Sequence, residues 1–478
     1  MGGSCAHYGV FDTFHLLVAE LGHEPNWSED ALLETQGYGT WLLWVITMVG
    51  IFLLVWRPRW VVLLVVGLET ALSVDRLTST QLSPGNNPFN AHDVLLLLAL
   101  VAVLATSYRK RQQTRVPLIV VGLLSVLLFG FLLSVIKIPG STYDIMRMLR
   151  RGLTLPLYYF VGRNAFGDRE TLNLLLWTVI LAVLVGAGTH VLGSSVLLLE
   201  GYSLYSIRDI QYLGGLVPVL VVAIIARGTL WMDTRRKRLL AYLCVLMGLV
   251  SVVISLTRSL WIAVAMAIPL TWIVFRRPRT GPAKMHTNSH GLLILGLGVV
   301  AMVFLRLFSG NVLAELMGRL SSVGQLFQGS ALASEFGDRL ASFALDFAAW
   351  RQSPIVGQGL WYYLPLVGNT DYSAIGNAWG HLGYISTLAQ LGLVGFGVFY
   401  VWLPVAVIKN ATFLWVSTDS TARQLGLLGG AGMIMSLIEF LMSGNFISMS
   451  IAGPGLTWGV LAAYRALLQG EPARETAQ

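Results

Sequence analysis

Charge is what this chain has least of. Asp, Glu, Lys and Arg make up 12% of its 478 residues, about half the share found in soluble domains, which excludes a globule with an ordinary charged shell. Lysine is rarer still, only five of the 32 basic residues. Cysteine is down to Cys5 and Cys244, and Cys244 lies in an apolar run, so neither a disulfide framework nor a thiolate metal site is expected. The first 38 residues lack a basic stretch leading into an apolar core, so no secretory leader is expected there. They are acidic instead, with Asp12, Glu20, Glu24, Glu29, Asp30 and Glu34. No alternating segments of about ten residues occur, which argues against a β-barrel. A Gly-rich nucleotide loop is missing, as is any His, Cys and carboxylate cluster, so no metal, no other cofactor and no nucleic-acid partner is expected.

What is present is apolar length. Thirteen windows read as bilayer spans: 39–56, 60–74, 93–107, 116–136, 144–162, 172–192, 212–227, 239–256, 259–275, 290–307, 381–405, 423–443 and 449–467. The expected fold is an all-α polytopic membrane protein of about 12–14 transmembrane helices. Alternate connections are basic, at 57–59, 108–115, 227–238 and 276–284, and the positive-inside rule assigns all four to the cytoplasm. The chain then divides into an extracytoplasmic segment 1–38, membrane helices 39–307, an extracytoplasmic cap 308–380, C-terminal helices 381–467 and a cytoplasmic tail 468–478. Within the cap, Leu340, Phe343, Phe347 and Trp350 share one helical face ahead of Pro354. They predict a surface helix packed on the bundle through that face.

The arginines that fall on the other side carry the functional signal. Arg147, Arg150, Arg151, Arg208, Arg258, Arg319, Arg339 and Arg351 map to the outer face or its edge. Arginine grips phosphate through a planar fork, whereas lysine is a point charge. Arg258 stands in the apolar run 239–275, too long for one span, so a turn near Ser255, Thr257 and Ser259 is expected to place it at the tip of a helical hairpin. Snorkelling or pairing with a carboxylate would account for a single such arginine. A shared anionic ligand, such as a lipid-linked diphosphate, would account for the set. His381, opening the eleventh window, is a candidate proton acceptor, with Asp338 a second. Gly392, Gly395 and Gly397 after it read as close-packing positions. Gly357 and Gly359 with Trp361, Tyr362 and Tyr363 suit either sugar stacking or an interfacial aromatic belt.

At these residues the sequence resembles the O-antigen ligase-like family, which includes O-antigen ligases and O-antigen or exopolysaccharide polymerases. His381, nine residues beyond Leu382, then Gly392 and Gly395 match the spacing of a motif at the start of a late span. Arg258 within LTRSLW, and Arg339 followed by Trp350, Pro354, Gly357 and Gly359, match two more, over about 140–465. The resemblance implies a GT-C-like, metal-independent glycosyltransferase on the outer side of the bacterial inner membrane. Its donor would be an undecaprenyl-diphosphate-linked glycan and its acceptor lipid-linked. Arg258, Arg339 and His381 would be catalytic, with Arg208, Arg147, Arg150 and Arg151 also binding diphosphate. Leu382 replaces the polar residue of the ligase signature, which favours a polymerase over a ligase acting on lipid A-core. A lipid-linked oligosaccharide flippase is the rival of another class.

Overall fold

The structure, a computed structural model, describes residues 45–71, 91–109, 114–137, 142–166, 168–199, 215–230, 235–255, 257–276, 343–362, 383–441 and 452–469. Among them there is no strand. The helices are α1 (Val45–Trp56), α2 (Pro58–Ala71), α3 (Ala91–Arg109), α4 (Leu118–Lys137), α5 (Thr142–Ala165) and α6 (Arg169–Leu199). They continue as α7 (Leu216–Arg227), α8 (Arg235–Ile254), α9 (Arg258–Val274), α10 (343–352), α11 (Gly383–Trp415), α12 (Ser420–Glu439) and α13 (Ala452–Leu468). Each of the thirteen windows except 290–307, which lies outside the described residues, overlaps one of these helices over its described part. Among the described residues, five helices are long and apolar enough to cross a membrane: His92–Arg109, Leu118–Lys137, Arg169–Ser194, Arg235–Ile254 and Gly383–Trp415. Large apolar side chains cover their outer faces, Leu118 at 73% exposed and Ile136 at 76%. That surface is stable against lipid and would be a liability in water.

Local chemistry sets the helix ends. Pro58 opens α2, where its missing N–H costs nothing. Asp168 caps α6 by accepting from the Thr171 amide at 2.8 Å, and Asp419 caps α12 by accepting from the Thr421 amide at 3.0 Å. Small residues bring α5 and α13 together: a methyl group on Gly459 would lie 2.1 Å from the Tyr159 carbonyl oxygen.

Contacts between helix ends sort the bundle into two poles. At one, Arg59 pairs with Asp168 at 2.7 Å, Arg169 with Asp419 at 3.0 Å, Arg465 bonds Asn410 at 3.0 Å, and Arg227 donates to the Trp272 carbonyl at 2.9 Å. This basic pole gathers the ends of α1, α3, α5, α7, α9, α11 and α13 with the starts of α2, α6, α8 and α12. The opposite pole holds the ends of α2, α4 and α8, the starts of α3, α5, α9 and α11, and α10. The alternation is the one that the basic connections require.

Candidate functional site

The hairpin that carries Arg258 forms where length and polarity place it. Helix α8 stops at Ile254 and α9 starts at Arg258. Ser255 Oγ donates to the Val252 carbonyl at 2.7 Å, Thr257 Oγ1 to the Ser255 carbonyl at 3.1 Å, and Trp261 Nε1 to the Val252 carbonyl at 2.7 Å. The freed carbonyls of the turn are thus answered by hydroxyls and an indole. Arg258 takes up the first position of α9, at the pole opposite the basic one. Arg147, exposed, and Arg150 and Arg151, half-buried, stand on α5 toward the same pole. Arg150 has a carboxylate beside it, its Nη1 lying 3.3 Å from Asp93 Oδ2. The positions Arg208, Arg319, Arg339, His381, Asp338 and Tyr363, and the side chain of Arg258, lie outside the described residues.

Two of the motif segments meet directly. Helix α11 is interrupted at Gly392, whose φ of 63° and ψ of −164° are open to glycine but strained for other residues. Gly392 is therefore more than a packing position. The turn 354–360 inserts at the break. Gln358 N donates to the Ala389 carbonyl at 2.8 Å and Gly359 N to that of Gln390 at 2.9 Å, while Leu393 N and Val394 N donate to Pro354 and Ile355 at 2.9 and 3.1 Å. Gly357, at φ 77°, passes so close that a methyl group there would sit 2.3 Å from the Gln390 oxygen. On the far side Leu360 N donates to Gly130 of α4 at 3.1 Å, and Trp361 N to Ser134 Oγ at 2.9 Å. Lys137 reaches Gln358 Oε1 at 2.8 Å. The Gly-x-Gly turn is therefore clamped between α4 and a broken α11, and α11 continues as a π-helical segment Gly397–Trp402, a distortion often found at functional sites.

Helix α10 ends before Pro354 as the sequence predicts, but its faces are reversed. Phe343 and Phe347 are exposed at 39% and 37% and stack on each other, with Trp350 tilted against Phe347; Asp346 and Ala349 are the fully buried positions. The aromatic stripe faces out, as a helix lying at a bilayer interface would turn it, and Asp346 and Ala349 turn to the protein. Tyr362 also departs from expectation. Its ring is buried and its hydroxyl donates to Asp346 Oδ1 at 2.6 Å, so it offers no surface to a sugar or to an interfacial belt. Trp361 is half-buried.

Burial pushes the Asp346 carboxyl up from 3.8 to about 6, with the Tyr362 hydroxyl pulling the other way. Oδ2 has no hydrogen-bond partner among the described residues. A proton is held more tightly folded than unfolded, so this stabilising contribution is complete below about pH 4, fades as pH rises to about 6 and is gone above it, a loss of about 3 kcal/mol. Asp346→Asn keeps an acceptor for Tyr362 and cannot ionise, but its amide adds a buried donor that offsets part of the gain. We expect the variant to melt a few degrees higher than the wild type at pH 8 and to lose that advantage near pH 4. Parallel melting curves at every pH would mean that the carboxylate is hydrated.

A second buried network was not legible as a unit in the sequence. Glu69 of α2, with a side chain 2% exposed, accepts from Tyr158 Oη at 2.8 Å and lies 2.6 Å from His92 Nδ1. His92 Nε2 faces Thr154 Oγ1 at 3.4 Å. Ionisable groups inside spans mark function more often than not, and that rule applied to Glu69 and His92 one at a time is the signal that would have found them. Among the described residues no three His, Cys, Asp or Glu side chains gather as metal ligands.

Compared with family models and with curated proteins, the sequence finds no match to either.

Proposed function

We propose that the chain is a multi-pass glycosyltransferase of the bacterial inner membrane, a polysaccharide polymerase of the O-antigen ligase-like family with a GT-C-like architecture of 12–14 spans. The observation that carries this reading is the docking of the Gly357–Gly359 turn on the Gly392 break. It joins the segment that follows Arg339 to the segment that follows His381, at the pole where α9 begins with Arg258. The basic pole is cytoplasmic in this reading, and the dock faces the extracytoplasmic side.

In the reaction the acceptor hydroxyl of one lipid-linked unit attacks the anomeric carbon of the donor glycan. The new glycosidic bond forms as the bond to undecaprenyl diphosphate breaks. Arg258 and Arg339, with Arg208, Arg147, Arg150 and Arg151 around them, neutralise the charge gathering on the leaving diphosphate. His381 takes the hydroxyl proton. The diphosphate is a good leaving group and needs no strong acid.

Mass spectrometry of lipid-linked glycans in a deletion strain tests the class. Accumulated single repeats support a polymerase, accumulated long chains a ligase to lipid A-core, and repeats confined to the cytoplasmic leaflet a flippase. Arg258→Lys keeps the charge and loses the fork, so polymer formation is expected to fall at least about tenfold, for a loss of bidentate grip of more than about 1.4 kcal/mol. Near-normal polymer from both Arg258→Lys and Arg258→Ala would make this arginine structural.

A further inference from the structure

Near the basic pole, a cleft of about 100 Å³ opens between α6, α7, α8 and α12. It lies far from the glycine dock, and nothing in the proposed transfer reaction uses it. Its walls have a pattern. Helix α6 contributes Asn173, Leu176, Trp177 and Ile180, and α8 contributes Lys237, Leu240, Ala241 and Cys244. Both sets follow the spacing i, i+3, i+4, i+7, so each is a single stripe about 10 Å long. Each stripe begins with a polar residue at the pole and turns apolar with depth.

The third wall repeats the gradient's polar end. Ser420, Thr421 and Gln424 line the cleft from the first turn of α12. Cys244 Sγ lies 4.0 Å from the Ile180 carbonyl oxygen, so the two stripes close together at the bottom. Leucines beside the stripes face outward: Leu174 and Leu181 on α6, Leu239 and Leu243 on α8, between 36% and 60% exposed. The two helices that form the slot therefore also carry apolar surface on the outside, while the exposed lining residues of the cleft, Asn173 and Ser420, stand at the pole.

Charge favours an anion at the mouth. Arg235, Arg236 and Arg238 flank Lys237 on the first turn of α8. Of the acids nearby among the described residues, Asp419 is engaged by Arg169 and Tyr464, and Glu170 is exposed on α6. Three of the four walls, α6, α8 and α12, start at this pole, so their positive dipole ends add to the field.

We propose that this cleft is a binding site for an anionic glycerophospholipid, its phosphate at Lys237 and the α12 hydroxyls and its acyl chain lying along the slot toward Cys244. A basic pocket between helices with an apolar floor has the polarity of such a lipid from end to end. A zwitterionic lipid fits the floor equally but lacks the net charge that the mouth selects.

The test is native mass spectrometry of the full-length detergent-purified chain titrated with phosphatidylglycerol or phosphatidylcholine. The wild type is expected to retain phosphatidylglycerol about five- to tenfold more tightly than phosphatidylcholine, with the preference falling as salt rises. Lys237→Gln should abolish the preference, while Lys409→Gln, an exposed lysine on α11 outside the cleft, should leave it. Ala241→Phe, which fills the slot, should remove the retained lipid of either kind, with unchanged melting temperature as the check on folding. Equal retention of the two lipids by the wild type would overturn the proposal. So would an undiminished preference in Lys237→Gln, an equal loss in Lys409→Gln, or a second copy of the chain displacing the lipid.

Discussion

Gly392→Ala is expected to undock the turn that follows α10 and to abolish the proposed glycan transfer. A methyl group at this position would lie 2.3 Å from the Ile355 carbonyl oxygen and 2.4 Å from its carbon, both backbone atoms that no rotamer change can move. The backbone conformation itself, φ 63° and ψ −164°, adds about 1–3 kcal/mol for any residue with a Cβ. If the turn retreats, the amide bonds to Ala389, Gln390, Pro354 and Ile355 go with it, at about 1 kcal/mol each. The total is about 4 kcal/mol or more. Gly357→Ala meets the Gln390 oxygen at 2.3 Å from the other side and should have the same result. Because either substitution releases the same contact, the double variant is expected to be little worse than either single one, a coupling that a double-mutant cycle reads directly. Hydrogen exchange at the amides of Gln358, Gly359 and Leu360 is the measurement. They should be protected in the wild type and exchange freely in both variants. Continued protection in Gly392→Ala, with an unchanged melting temperature, would remove the dock from the argument.

The helices were readable because a bilayer asks only for apolar length, and the windows from 39–56 to 449–467 have it. The Arg258 hairpin was readable for a related reason: its run is too long for one crossing, and the only hydroxyl-rich place to turn is Ser255 to Ser259. The dock was not. A glycine in an apolar helix is ordinarily a packing position, and what makes Gly392 a break is the arrival of residues 354–360, more than thirty positions earlier in the chain. Helical periodicity correctly grouped Phe343, Phe347 and Trp350. It says which residues share a face but not which face turns inward, and an interfacial helix reverses the usual choice. Asp346 was passed over for that reason, although an acid within such a stripe of aromatics marks the opposite face.

Glu69, His92 and Tyr158 come from three helices, and their grouping is legible only once those helices pack. Glu69→Ala would leave the Tyr158 hydroxyl and the His92 ring buried opposite a cavity, where one oxygen now serves both. Removing one member of a buried charged network costs about 3–5 kcal/mol, and we expect a fall in melting temperature large enough to reduce the folded yield from the membrane. Glu69→Gln retains a carbonyl acceptor for Tyr158 and should be much milder. The decisive variant is the triple change Glu69→Leu, His92→Leu and Tyr158→Phe. Replacing a whole buried polar group by apolar side chains of similar volume is close to neutral for stability, so this protein should fold about as well as the wild type. Were the network only a fastener between α2, α3 and α5, the triple variant would also keep its activity. We expect it to fold and to lose activity, because a carboxylate and an imidazole inside a membrane bundle are a poor fastener compared with leucine and a ready means of moving or holding a proton. The Arg150–Asp93 pair lies beside them, joining the network to the arginines of α5. A stable, fully active triple variant would reduce the cluster to packing.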